Sequence, residues 1–410
     1  MNILKFIKSK DFYIYLLALL PVLSLFMVSM AILIFIAGAL CSFILNNKYK
    51  VISLKPIGFL IVFILPFLLY VVSLLWAEDF HRGINFMSKT LAFFVIPVTI
   101  FILRPFTNTA QIKRFIQIFI CSSVTSVLIT AIFLLINIEN ILNQHDSYWI
   151  NIRLRESIEL VPIIGEHVIY FSLLMATALI LIFYNRFKKA WVNFTFILIL
   201  IAGIALASSK GVILSLLAVG LIAIYQNIRS KKQALLVVVV SLIGFSVLVY
   251  ISPIKSRINE IVESRYVYPQ EEVYNSYNLR MAIYNCSFSL LEKTPLYGFS
   301  PADTQSRLNE CYTKFKTQAF DEFNYNTHNQ YLDYFLSFGP FGLLLILISF
   351  SFFLRIAILN KDKEYFSFLI LFYLVFLTEN ILIRNTGIVL FTTFNCLFAF
   401  SNVFLHKNNF

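Results

Sequence analysis

Apolar runs of about 17–25 residues, the length a helix needs to cross a bilayer, recur along almost the whole chain. Short polar turns separate them. Read by length and hydropathy, they predict twelve spans, at roughly 12–28, 30–46, 56–76, 86–103, 113–137, 161–184, 190–207, 211–227, 233–251, 329–356, 364–382 and 386–405. The first two form one continuous run punctuated only by Pro21, and are divided because together they are too long for one crossing at about 1.5 Å per residue. The pattern changes once, in a long polar segment at 252–328 that is rich in Tyr and Phe. The expected fold is therefore an all-α polytopic membrane protein. It comprises spans one to nine within 1–251, a loop domain at 252–328 with short amphipathic helices, and spans ten to twelve with the C-terminus in 329–410.

Composition agrees with that pattern. The chain is 59% hydrophobic and 13% charged, about half the charged fraction of a soluble domain, and its mean hydropathy is +0.81. The first apolar run is too long for a cleavable signal peptide and has no small-residue cleavage pattern. A net charge of +12 raises nucleic acid as a partner, and the placement of the charges removes it. With the N-terminus inside, 19 of the 33 Lys and Arg fall on cytoplasmic turns, whereas only Asp11, Asp362 and Glu364 of the 21 acids do. That is the positive-inside asymmetry of an oriented membrane protein. Both termini are then expected in the cytoplasm and 252–328 outside. Cys41, Cys121 and Cys396 lie in apolar runs, as small apolar side chains. Cys286 and Cys311 share the polar segment; no spacing rule fixes whether they pair in an oxidising compartment.

The two halves are unlike and no internal repeat stands out. That argues against a transporter, whose repeated halves commonly meet at a midplane site. Polar residues gather instead at the outer ends of the spans. At 324–342 a polar run carrying His328 and Asn329 leads straight into a long apolar helix, so the imidazole stands where water meets the bilayer. Neutral imidazole can accept a hydroxyl proton near pH 7; a lone histidine can equally be structural. Lys210 stands in Ala-Ser-Ser-Lys-Gly between two spans with almost no loop. A cation near hydrocarbon is costly; either a phosphate offsets that cost or the side chain snorkels to water. Residues 276–292 fit an amphipathic helix with Met281, Tyr284, Phe288 and Leu291 on one face. Arg280 falls in its first turn, where the helix dipole disfavours a cation, so it has an anionic partner or is simply solvated. Glu379 and Arg384 flank the last outer turn and can clamp each other. Glu166, His167 and Tyr170 open span six, lining an acceptor groove or anchoring the helix at the interface. Metal and nucleotide motifs do not occur: there is no Asp-x-Asp, His-Glu-x-x-His, Cys-x-x-Cys or phosphate-cradling Gly loop, and no Gly-x-Ser-x-Gly elbow.

Several segments together resemble the O-antigen ligase and polymerase superfamily, integral-membrane glycosyltransferases of bacterial surface polysaccharides. They are Ser-Leu-Leu-Trp-Ala-Glu-Asp at 73–79, Ala-Ser-Ser-Lys-Gly at 207–211, Asn-Leu-Arg-Met-Ala-Ile-Tyr at 278–284, Thr-Pro-Leu-Tyr-Gly-Phe-Ser-Pro at 294–301, Thr-His-Asn-Gln-Tyr-Leu at 327–332, Phe-Gly-Pro-Phe-Gly at 338–342 and Leu-Thr-Glu-Asn at 377–380. The order of the arginine, Pro-Leu-x-Gly and His-Asn-x-x-Leu elements in and after the outer segment is the most specific part. The resemblance implies a GT-C-like layout of about twelve spans with one large periplasmic loop, in the bacterial inner membrane. It implies an inverting, metal-independent glycosyltransferase without a cofactor, with the active site on the periplasmic face and a donor glycan on undecaprenyl diphosphate. Arg280 and Lys210 would hold the diphosphate, and His328, catalytic together with Arg280, would activate or orient the acceptor hydroxyl. Lys210 replaces the arginine usual in that motif, keeping the charge and losing its two-pronged grip. A ligase joining O-antigen to lipid A–core is the first expectation, and a polymerase joining lipid-linked repeat units the alternative. A glycosyltransferase acting on proteins, a lipid-linked oligosaccharide flippase and a membrane scaffold rank lower.

Overall fold

The computed structural model describes residues 12–46, 55–142, 153–226, 266–271 and 273–405. A 3-10 helix, Phe12–Val22, is followed by α1 (Leu25–Leu45), α2 (Lys55–Ser73), α3 (Phe80–Lys89), α4 (Ala92–Val98) and α5 (Thr109–Ile136). Next come α6 (Val168–Tyr184), α7 (Ala190–Ala207) and α8 (Lys210–Tyr225). The outer segment supplies α9 (Ser276–Leu291) and α10 (Pro301–Tyr312), and α11 (Gln330–Leu359), α12 (Lys363–Val375) and α13 (Asn385–Phe400) complete the bundle. Among the described residues six helices are long and apolar enough to cross a membrane, and four shorter apolar helices accompany them. The expected span at 233–251 and the first part of the outer segment lie outside the described residues.

Several boundaries differ from those expected. The first apolar run breaks at Leu23–Ser24 rather than near residue 29, because the Ser24 hydroxyl accepts the Met27 N–H and caps α1. Span six starts at Val168, since 157–164 forms turns. Span eleven ends as a helix at Val375, which leaves 376–380 as a turn.

Helix α13 lies at the centre, with every residue from Thr386 to Phe400 buried. An apolar surface all round the helix is what a core position requires. Phenylalanines fill the space around it: Phe119 meets Phe394 with ring centroids 4.7 Å apart, and Phe372 meets Phe391 at 5.2 Å. Some buried hydroxyls of the spans return to their own helix, as Ser123 and Thr177 do by donating to the carbonyls four residues earlier. Helices α8 and α12 run antiparallel: Lys363 Nζ reaches the Gln226 carbonyl at one end, and Gly211 abuts Thr378 at the other.

The outer segment forms a second, small core of Ile283, Cys286, Leu290, Leu308, Cys311, Tyr312 and Leu336. A disulfide between Cys286 and Cys311 joins α9 to α10. The buried face of α9 is Leu279, Ala282, Ile283, Cys286 and Leu290, not the expected Met281, Tyr284, Phe288 and Leu291. Phe288 is 57% exposed. Bulk misled the expectation: the face against the core carries small residues that let α9 come close to α10.

A break in α11 docks this layer onto the bundle. Pro340 has no N–H to offer the Leu336 carbonyl, and Gly339 leaves helical geometry at φ 71° and ψ 178°. The freed carbonyls of Leu336 and Ser337 accept the N–H groups of Phe299 (2.8 Å) and Ser300 (3.0 Å). Carbonyls released from a helix ladder and buried need such partners. Gly298 and Gly339, both at positive φ, interlock there; a Cβ on either would overlap the opposing backbone. Trp-Ala-Glu-Asp is held to the same layer. The Asp303 carboxylate accepts the N–H groups of Glu78 (2.9 Å) and Asp79 (3.2 Å), Arg307 pairs with Glu78, and Trp76 packs edge-on against Tyr297.

Candidate functional site

Thr-His-Asn-Gln begins α11, and three of its four side chains are spent on holding the chain. The Asn329 carboxamide oxygen accepts the N–H groups of Tyr331 and Leu332, capping the helix, while its nitrogen donates to the Leu377 carbonyl. Thr327, fully buried, bonds the Asn380 carboxamide. The Gln330 carboxamide oxygen accepts the Leu382 N–H at 2.6 Å. The start of α11 is thus tied along the whole 377–382 turn.

His328 is the fourth. Its backbone sits in the left-handed region at φ 48°, a conformation a non-glycine residue holds only where its surroundings impose it. The imidazole is turned onto Glu379, with Nδ1 3.2 Å from Oε2. A carboxylate beside Nδ1 favours the tautomer protonated there, which leaves the lone pair on Nε2. The other Glu379 oxygen accepts from Arg280 at 2.8 Å, and a second guanidinium nitrogen of Arg280 reaches the Thr378 carbonyl at 3.4 Å. Arg280 lies beyond the first turn of α9, which is capped by Asn275, so a carboxylate partner, not the dipole, defines its surroundings. Glu379 pairs with Arg280 and His328 rather than with Arg384, its neighbour in sequence.

Burial alone would raise the Glu379 carboxyl. The hydrogen bond from His328 and the Arg280 charge outweigh it and hold the group below its ordinary value. A depressed carboxylate contributes stability that is present above the unfolded-state value and lost as pH falls through the folded one. The apparent melting temperature of the purified protein is therefore expected to fall faster on acidification through the carboxylate range than that of Glu379→Gln. Parallel curves would contradict the pairing.

A cavity of about 380 Å³ opens beside this group, lined by His167, Tyr170, Tyr325, His328, Glu379 and Arg384 among others. His167 caps α6, its Nδ1 accepting the Ile169 N–H, and Nε2 faces Glu159 at 3.6 Å. Burial lowers its pKa, with Glu159 opposing. Burial also raises the neighbouring Glu166, against the hydrogen bond donated by Thr386. The Tyr170 hydroxyl donates to the Asn380 carbonyl, and the Arg384 guanidinium lies over its ring at 5.9 Å.

Lys210 is not among the residues lining that cavity. It is half-buried at the first position of α8, after a sharp turn made by Ser208 at φ 47°. Its neighbour Gly211 packs directly on Thr378, where a Cβ would overlap the threonine side chain. The Thr378–Glu379 turn is therefore where three elements meet: the start of α8, α9 through Arg280, and the start of α11 through His328. The expected clamp of Glu379 with Arg384 gives way to this hub, whose partners lie 99 and 51 residues away and leave no local signal.

Residues 194–347 match the O-antigen ligase family model. The matched stretch contains Lys210, Arg280 and His328 and ends before Glu379 and Arg384. No curated protein matches the chain significantly. The helical bundle and the family match together support the O-antigen ligase and polymerase superfamily, and with it a glycosyltransferase-like enzyme built as a multi-pass membrane protein.

Proposed function

We propose that the protein is an O-antigen ligase that transfers a glycan from undecaprenyl diphosphate to a lipid A–core hydroxyl, at the outer end of a twelve-span bundle with both termini in the cytoplasm. The observation that carries this reading is that Glu379 holds Arg280 and His328 together beside the cavity, with the start of α8, next to Lys210, packed on Thr378. In the step proposed, the acceptor oxygen attacks the anomeric carbon and its proton passes to His328 Nε2. The bond from that carbon to the diphosphate oxygen breaks on the opposite face, so configuration inverts. Undecaprenyl diphosphate leaves with the electron pair. Fixed cations stabilise the developing charge in a water-poor site, and Arg280 and Lys210 supply them. Glu379 is a positioning residue, since it orients both the imidazole and the guanidinium. Asn329 keeps a structural role, while His167, Tyr170 and Arg384 face the cavity where the acceptor sugar would sit.

The reading is tested with purified lipid-linked donor and lipid A–core. Arg280→Ala is expected to lower transfer by about 10²–10³-fold, the scale of losing one preorganised donor to a developing charge. Lys210→Ala should raise the apparent KM for donor while Lys210→Arg leaves it near wild type, as phosphate contact requires a charge. Near-normal transfer by Arg280→Ala, or equal losses in both Lys210 variants, would remove the assigned roles. A product extended on undecaprenyl diphosphate without lipid A–core would instead assign the polymerase.

A further inference from the structure

At the end of the bundle away from His328, a second cavity of about 1150 Å³ opens between α5, the α11–α12 turn and the end of α13. Three cations line it from separate positions: Lys113 on α5, Arg355 near the end of α11, and Lys361 in the turn. All three are exposed. Two acids, Asp362 and Glu364, stand beside them, and Ile116 and Phe398 complete an apolar part of the wall.

The acids and cations do not neutralise one another. One Asp362 oxygen accepts the Tyr365 N–H and the other the Asn402 carboxamide. Glu364 accepts from the Asn185 carboxamide. Among the described residues no ion pair joins Lys113, Arg355 or Lys361 to an acid. The carboxyl groups keep spare lone pairs, so hydrogen-bond acceptors stand beside cations that no described acid neutralises.

The turn itself is unusual. Lys361 N–H bonds the Ile358 carbonyl and Asp362 N–H bonds the Ala357 carbonyl, the paired pattern of a Schellman helix end. Its left-handed position is normally glycine's, yet here Lys361 holds it at φ 53°. Backbone strain of this kind points to a use for the side chain it presents.

We propose that this cavity binds the headgroup of a zwitterionic phospholipid that carries both a phosphate and a primary ammonium. The phosphate lies among Lys113, Arg355 and Lys361. The ammonium, two carbons away in an ethanolamine head, reaches Glu364 and Asp362. Ile116 and Phe398 take the first apolar part of the lipid.

The test is lipid retention by the full chain in detergent, followed by native mass spectrometry and melting temperature. Phosphatidylethanolamine, phosphatidylglycerol and phosphatidylcholine are added separately. Phosphatidylethanolamine is expected to be retained best and to stabilise most, as a ligand bound by the folded state alone must. The triple variant K113A/R355A/K361A should lose about fivefold in its retention per cation removed, whereas K113R/K361R keeps it. E364Q preserves the Asn185 contact and should erase the preference over phosphatidylglycerol. Equal retention of phosphatidylethanolamine and phosphatidylcholine, or undiminished retention by the triple variant, would overturn the proposal. So would full stabilisation by soluble phosphoethanolamine with none from the lipid.

Discussion

Substituting His328 is expected to lower glycan transfer by about 10²–10⁴-fold, the usual contribution of a positioned general base, while the protein remains folded. The imidazole is the one side chain of Thr-His-Asn-Gln that holds nothing in place except its own contact with Glu379. Thr327, Asn329 and Gln330 carry the ties to the 377–382 turn, so the backbone should survive the change. The choice of replacement matters, because position 328 is left-handed. Alanine would meet the same strain without a side chain to stabilise it. Asparagine is enriched in that region, is neutral and polar, and cannot take a proton near pH 7. His328→Asn therefore separates chemistry from conformation. The measurement is initial rate with purified lipid-linked donor, alongside elution of the detergent-solubilised protein as a single species. Transfer by His328→Asn within a few-fold of wild type would show that the imidazole is not the base.

How far the sequence disclosed this arrangement depends on the distance over which each residue acts. Asn329 before an apolar run announces a helix start, and the structure uses it as the cap. The periodic apolar runs reveal the helices, since a crossing segment satisfies its backbone internally. Contacts between distant segments are another matter. Glu379 has a cation five residues downstream, and proximity in sequence suggested that pair. Packing of α9 against α11 delivers Arg280 instead, and no local pattern encodes that choice. The buried face of α9 is hidden from the sequence for a related reason. Large side chains such as Phe288 suggest burial, but the close approach of α9 and α10, sealed by the Cys286–Cys311 disulfide, selects Ala282 and Cys286 for the inside. Gly-Pro within the 329–356 span was visible as a motif, while its purpose lies in the carbonyls it frees for a segment some 40 residues earlier.

That broken turn supports the second large effect, on stability. Gly339→Ala is expected to destabilise the fold by roughly 3 kcal/mol, combining a backbone region accessible essentially to glycine with overpacking. Its φ of 71° with ψ of 178° is one cost, and a Cβ overlapping the Leu296 carbonyl and Gly298 is the other. Relief requires the Leu296–Gly298 segment to move away, which would stretch the bonds from Phe299 and Ser300 to α11. The same segment follows α9 directly, so Arg280 would move relative to His328, and transfer should fall together with stability. The disulfide cannot prevent this, because it fastens α9 to α10 and not to α11. Gly220→Ala is the matched control, since a Cβ there meets nothing within 4 Å and alanine is the better helix former. Apparent melting temperatures of the two variants in the same detergent decide the matter. If Gly339→Ala melts no lower than Gly220→Ala, the interlocked glycines do not hold the outer layer, and another contact must set the spacing between Arg280 and His328.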